Sequence, residues 1–191
     1  VPEKYFEVRW HGRAGQGAKS ASQFLAEAAL DAGKYSTSFP EYGAERSGAP
    51  MKAFNRISEV PVRVRSNVEF PDIVVVIDDT LLGNPDITSG LAEENYLVVN
   101  TIKSPEEVSK ITGFNGKIAT IAGTDIALEE IKRGIPNTVM IGTLIKLTDI
   151  VPMDSVKQKV TAAFSHKFSQ AIVDANLRAL DRGFAEVNIN G

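Results

Sequence analysis

Three glycines, Gly12, Gly15 and Gly17, stand between a strand-like segment and an amphipathic helical pattern in the stretch Trp10–Gly33. A loop that runs from a strand end into a helix start leaves backbone N–H groups free, and those groups together with the helix dipole favour an anion. Glycine lets the backbone turn sharply and lets a ligand come close. The chemistry suits a phosphate, and Arg13 lies close enough in sequence to add a charge-assisted contact. The spacing is G-x-x-G-x-G, which is not the G-x-G-x-x-G dinucleotide fingerprint. It is not a P-loop either, because Gly17 is followed by Ala18 and Lys19 rather than by Lys and Ser or Thr. A coenzyme-phosphate site and a plain structural turn both remain consistent with it.

Other residues could carry chemistry. Asp78 and Asp79 follow an apolar run, where an acid pair can hold a metal or a ribose, or can simply cap the next turn. His11 precedes the glycines at the carboxyl end of its strand, where ligands sit in open α/β sheets, and His166 is expected to be a cap or surface residue. Arg46, with Glu45 and Glu41, could clamp a carboxylate or phosphate or form an ion pair between subunits. No nucleophile, base and orienting group occur together in a recognisable pattern, so no catalytic triad can be drawn.

Several elements must position these residues. Tyr5–His11 alternates and is rich in aromatic and β-branched types, as a strand should be. Ala21, Phe24, Leu25, Ala28 and Ala32 recur at helical spacing, and Gly33 stands where a glycine would close that helix. Lys34–Pro50 shows neither period and reads as a long loop, a kind of segment that usually has a task. Within it Phe39, Tyr42 and Arg46 are residue types that suit an interface. Met51–Ser58 and Val60–Ser66 resemble two strands, the second alternating Val62 and Val64 with Arg63 and Arg65. Asp72–Asp78 is a continuous apolar run, as expected of a strand covered on both faces.

Strand-like YLVVN and KIATIA follow, and Thr124 or Asp125 is expected to cap a short helix that ends at Gly134. Asn137–Thr148 has helical periodicity at Val139, Met140, Thr143, Leu144 and Leu147. A helical tail begins at about residue 153, and its second helix is expected to stop at Gly183. Alternating strands and helices predict an α/β fold: a three-layer α/β/α sandwich with a Rossmann-like open sheet and helices on both faces, in a single domain over residues 1–191.

The chain has 191 residues, 43% hydrophobic and 24% charged, with a formal net charge of −3. That balance gives no general basic field for nucleic acid or an anionic membrane. No apolar run approaches the roughly 20 residues of a membrane helix. There is no cysteine, which excludes disulfides, a cysteine nucleophile and a thiolate-held cluster or zinc site on this chain. Two histidines are too few for a histidine-rich metal site. No signal-peptide pattern opens the sequence, and a soluble, cytoplasmic protein is expected.

Three segments in order, HGRAGQG after the first strand, FPEYGAERSGAP and PNTVMIGTL, resemble the gamma subunit, or gamma domain, of 2-oxoacid:ferredoxin oxidoreductases, most of all those that act on pyruvate. The resemblance covers essentially the whole chain. The family loop is matched at His11, Gly12, Gly15, Gln16 and Gly17. Ala14 stands where the family often has another glycine. Ser47 stands where a second arginine is frequent after Arg46, which lowers the local positive charge.

The resemblance implies a complex of several chains that converts a 2-oxoacid and coenzyme A to an acyl-CoA and reduces ferredoxin. Thiamine diphosphate would lie on the alpha and beta subunits, and [4Fe-4S] clusters on beta and a ferredoxin-like delta subunit. Here Gly12, Arg13, Gly15, Gln16 and Gly17 would form a loop for the coenzyme A phosphates. Phe39, Tyr42, Glu45, Arg46 and Asn137 would face partner chains, and the isolated chain would be inactive. Pyruvate is the favoured substrate, with branched-chain 2-oxoacids and 2-oxoglutarate open. The competing readings are a free-standing nucleotide-binding α/β enzyme and a purely structural scaffold subunit.

Overall fold

The computed structural model describes residues 5–42 and 48–190. Among them a seven-stranded sheet has the order β2-β3-β1-β4-β5-β6-β7. The strands are β1 (Phe6–Arg13), β2 (Tyr35–Tyr42), β3 (Pro50–Ser58), β4 (Ile73–Val76), β5 (Tyr96–Asn100), β6 (Lys117–Ile121) and β7 (Asn188–Ile189). Strands β1, β4, β5 and β6 run parallel, while β3 is antiparallel to β1 and β2, and β7 is antiparallel to β6. The helices are α1 (Ala18–Asp31), α2 (Pro105–Thr112), α3 (Gly123–Ile131), α4 (Asn137–Thr148), α5 (Met153–Ser165) and α6 (Gln170–Ala185).

Alternation along the strands divides the interior into two layers. Val8 and Trp10 of β1 join Met51, Ala53, Ile73, Val75, Val98 and Ala119 on one face, under α1, α3, α4, α5 and α6. On the other face Val74, Val76, Leu97, Val99 and Ile118 lie under α2 and two 3-10 turns, Asp79–Leu81 and Pro85–Ile87. The expected three layers are present. Helix α2 is short, however, and reaches only β4, β5 and β6, while the turn Pro85–Ile87 meets Arg9 of β1. Over β1 and β3 the same face carries the polar side chains of Arg9, His11 and Arg56, all buried.

The structure corrects four expectations. The segment read as a long loop contains strand β2, which pairs with β3 from Tyr35↔Ser58 to Tyr42↔Met51. Its serines, threonine and proline hide the pattern, and pairing with a distant strand decides the conformation. Residues 61–65, which alternate like a strand, form no strand. Helix α3 starts at Gly123 after Ala122, without a side-chain cap from Thr124 or Asp125, and ends at Ile131 because Lys132 turns left-handed (φ 61°). Helix α6 runs through Gly183 to Ala185. There a Cβ would lie 2.1 Å from the Val139 carbonyl oxygen, so the glycine serves the crossing with α4 rather than a stop.

Candidate functional site

The glycine loop lies at the carboxyl edge of the parallel strands. From β1 the chain passes into α1 on the first face, and from β4 it passes into the 3-10 turns on the second. The boundary between β1 and β4 is therefore a topological switch point, where open α/β sheets place ligands. Gly15 (φ 92°) and Gly17 (φ 94°) adopt left-handed backbone angles that an L side chain resists. Gly17 is the N-cap of α1, with no side-chain cap hydrogen bond and no acid in the first turn, and exposed Lys19 follows. The first N–H groups of α1 thus have no intrahelical acceptor and face no carboxylate from their own turn.

The side chains at the loop are already engaged. The Arg13 backbone N–H donates to Gln16 Oε1 (2.7 Å), and Gln16 Nε2 donates to Asp78 Oδ2 (2.6 Å). Arg13 Nε donates to the same oxygen (3.1 Å), Nη2 donates to Thr80 Oγ1 (3.0 Å) and Nη1 to the Gly48 carbonyl (3.2 Å). Asp78 also caps the following turn by accepting from the Thr80 N–H (3.0 Å). Partial burial works to raise the Asp78 pKa, but the hydrogen bonds from Thr80 and Gln16 and the Arg13 charge outweigh it and hold the carboxyl below its ordinary value. The arginine read as a free phosphate contact is clasped by the acid at the end of β4.

Beside this clasp, a cleft of about 270 Å³ opens over the ends of β4, β5 and β6. Asp79 there accepts from Lys103 Nζ (2.5 Å) and Thr101 Oγ1 (2.7 Å). Asn100 Nδ2 donates to the Ile77 carbonyl (2.9 Å) and to Thr124 Oγ1 (2.8 Å), while its Oδ1 accepts from the Thr124 N–H (3.0 Å). Asp78, Asp79 and Asp125 make the lining acidic, so it suits hydroxyl or ammonium groups better than a phosphate. Sequence reading passed over Asn100 and Thr101 and took Thr124 only as a helix cap. The available signal was polar side chains immediately after two apolar strands, the same logic that singled out Asp78.

His11 stands on the opposite face of β1 from Trp10 and is 3% exposed. Arg9 Nε donates to His11 Nε2 (3.0 Å), so the imidazole is neutral with its proton on Nδ1. Burial, then the charges of Arg9 and Lys52, push the His11 pKa down to about 3. Held this way, His11 is not a proton carrier near neutral pH. His166 is exposed at the end of α5.

The residues expected at interfaces are scattered. Asn137, at the start of α4, lies against the glycine loop, where a Cβ on Gly17 would sit 3.2 Å from Asn137 Cβ. Phe39 packs on Phe54 (ring centroids 5.1 Å apart) under Arg56. Tyr42 is the last residue of β2. Glu45 and Arg46 lie outside the described residues. Glu41 of the same proposed clamp accepts from Asn67 Nδ2 (2.8 Å). Among the described residues no three His, Asp or Glu side chains gather as a metal site, and no helix is long and apolar enough to cross a membrane.

Comparison with known proteins agrees with this architecture. Residues 7–186 match the family described as pyruvate ferredoxin/flavodoxin oxidoreductase. The chain is 63% identical over 187 residues to pyruvate synthase subunit PorC of Thermotoga maritima, covering 98% of this chain and 97% of that one. It is 42% identical over 179 residues to the pyruvate/ketoisovalerate oxidoreductases common subunit gamma of Thermococcus kodakarensis, covering 93% and 95%. The crystal structure of the pyruvate oxidoreductase subunit PORC of Thermotoga maritima superposes with a TM-score of 0.90 at 59% identity, covering 99% of this chain and all of that one.

Proposed function

The chain belongs to the pyruvate ferredoxin/flavodoxin oxidoreductase family as a gamma-type subunit, and from that premise we propose that its glycine loop helps seat coenzyme A in the assembled enzyme. In this reading the whole chain is one gamma-type domain in the cytoplasm. It packs beside alpha and beta subunits that carry thiamine diphosphate and a delta subunit that, with beta, carries [4Fe-4S] clusters. The complex takes pyruvate and coenzyme A to acetyl-CoA and carbon dioxide, and passes the electrons to ferredoxin. This chain, without cysteine, offers no thiolate to a cluster.

The observation that carries the coenzyme A role is the uncapped start of α1, with Gly15 and Gly17 opening the backbone and Lys19 as the only charge of the first turn. Phosphate oxygens at that point would accept from the free N–H groups, and Arg13 would exchange Asp78 for the ligand. Phe39, Tyr42, Glu45, Arg46 and Asn137 are the residues proposed to contact partner chains. Since the Thermococcus kodakarensis relative is described as common to pyruvate and ketoisovalerate oxidoreductases, choice among 2-oxoacids is assigned to the other subunits.

The purely structural reading is favoured by one feature, the full set of protein partners on Arg13. A coenzyme A titration of the reconstituted complex separates the two. Arg13→Ala is expected to weaken coenzyme A by about 1–3 kcal/mol, the usual range for a hydrogen bond to a charged group. Gly15→Val strains a left-handed angle of 92° and should lower both stability and coenzyme A use. An unchanged titration in an Arg13→Ala complex of normal stability would leave the loop as a turn only.

A further inference from the structure

Residues Val60–Ser66, VPVRVRS, have the alternation of a strand but pair with nothing in the fold. From 61 to 65 the backbone forms neither helix, strand nor turn, and no backbone hydrogen bond joins it to the described residues. Val60 and Val64 are each 39% exposed, and Arg63 and Arg65 are exposed without a carboxylate partner among the described residues. The segment is nevertheless tied down at both ends. The Val60 N–H donates to Ser58 Oγ (3.1 Å). At the far end, buried Arg56 donates to the carbonyls of Ser66 (2.6 Å) and Asn67 (3.1 Å), and Val68 is 3% exposed. The strap is thus held over the part of the sheet that α2 does not reach, and Phe70, 74% exposed, ends it.

An anchored, exposed segment that alternates like a strand yet pairs with nothing points to a role outside the isolated chain. We propose that Val62–Arg65 adds as a strand to an open, acidic sheet edge of another subunit of the complex. The proposal rests on the gamma-subunit reading above. Strand addition would pair the idle backbone N–H and C=O groups, with Val62 and Val64 on one side and Arg63 and Arg65 facing carboxylates on the other. Pro61 fits immediately before such a strand, where no N–H is needed. Phe70 supplies an aromatic anchor beside it. A second copy of this chain is the poorer occupant on charge. Its long open edge, β2, carries only Glu41, and Glu41 is already bound to Asn67.

The test uses the reconstituted complex. Hydrogen exchange should show the amides of residues 62–65 unprotected in the isolated chain and at least about tenfold slower in the complex. The double variant Arg63→Glu/Arg65→Glu should fold with an unchanged Tm. It should bind the partner subunits at least about tenfold more weakly at low salt, with the difference shrinking as salt rises. Normal assembly of the variant, or no added protection at 62–65 in a complex that forms, overturns the strand addition and leaves the subunit reading intact. Protection that rises with concentration in the isolated chain assigns the segment to self-association and also overturns it. Failure of the unaltered chain to join the partner subunits overturns both.

Discussion

Between Arg9 and His11 two groups that would each be costly to bury alone satisfy one another. Arg9 also donates to the carbonyls of Asp86 (3.1 Å), Ile87 (3.2 Å) and Ser89 (2.6 Å), so its charge is spread over backbone dipoles. The imidazole accepts from Arg9 only while neutral, which ties stability to pH. Because the folded pKa is pushed down to about 3 from 6.5, the unfolded chain binds the proton first as pH falls. Stability from His11 is complete above pH 6.5 and is lost between there and pH 3. The loss between pH 6.5 and 4.5 should be about 2 kcal/mol, and His11→Gln, which keeps an acceptor for Arg9, should flatten that slope. Urea unfolding across this interval measures it. The window lies above the range in which Asp78, Asp79 and Asp86, all held below their ordinary pKa, begin to protonate. That Arg9 and His11 share a face follows from strand period. That Arg13 meets Asp78, 65 residues away, does not, because the contact depends on β1 lying beside β4.

At the scale of elements, the crossing of α4 and α6 sets the tightest tolerance on the first face. A Cβ on Gly142 would lie 2.1 Å from the Leu180 carbonyl oxygen, and one on Gly183 equally close to that of Val139, while Thr143 Oγ1 donates to the Gly183 carbonyl (2.9 Å). Glycine inside a helix costs about 1 kcal/mol relative to alanine, yet Gly142→Ala or Gly183→Ala should destabilise by about 1–3 kcal/mol because the helices must move apart. Thermal unfolding of the two variants checks the sign. The same crossing shows where sequence reading stops. Periodicity located α4, α5, α6 and the buried strands β4, β5 and β6, whose pattern is their own. It gave Gly183 the wrong task, since the partner backbone is invisible to a local pattern. It missed β2 because an edge strand of hydroxyl residues is defined by β3 alone. Helix α2 was also passed over, although it carries a local sign: Ser104 and Glu107 form a reciprocal capping box ahead of Lys110 and Gly113.

For the whole molecule, no nucleophile, base and orienting group come together among the described residues: His11 is buried and accepts from Arg9, and His166 is exposed at the end of α5. The isolated chain should therefore reduce no viologen dye with pyruvate or any other 2-oxoacid, with or without coenzyme A, and turnover by the pure chain would refute this. The strand order has a consequence for synthesis. Strand β1 is central, with Phe6 against Ile57 of β3 and Val8 against Ile73 of β4, while α1 is covered by α4 and α5, which come far later in the chain. At roughly 5–20 residues per second, a ribosome needs roughly 10–40 s to make the 191 residues. Val8 and Trp10 can meet β3 and β4 once residue 76 is made, but the side of α1 that α4 and α5 cover stays bare until residues 137–165 emerge. The hazard of aggregation belongs to the growing chain rather than the finished one, and it falls as α4 and α5 emerge over α1.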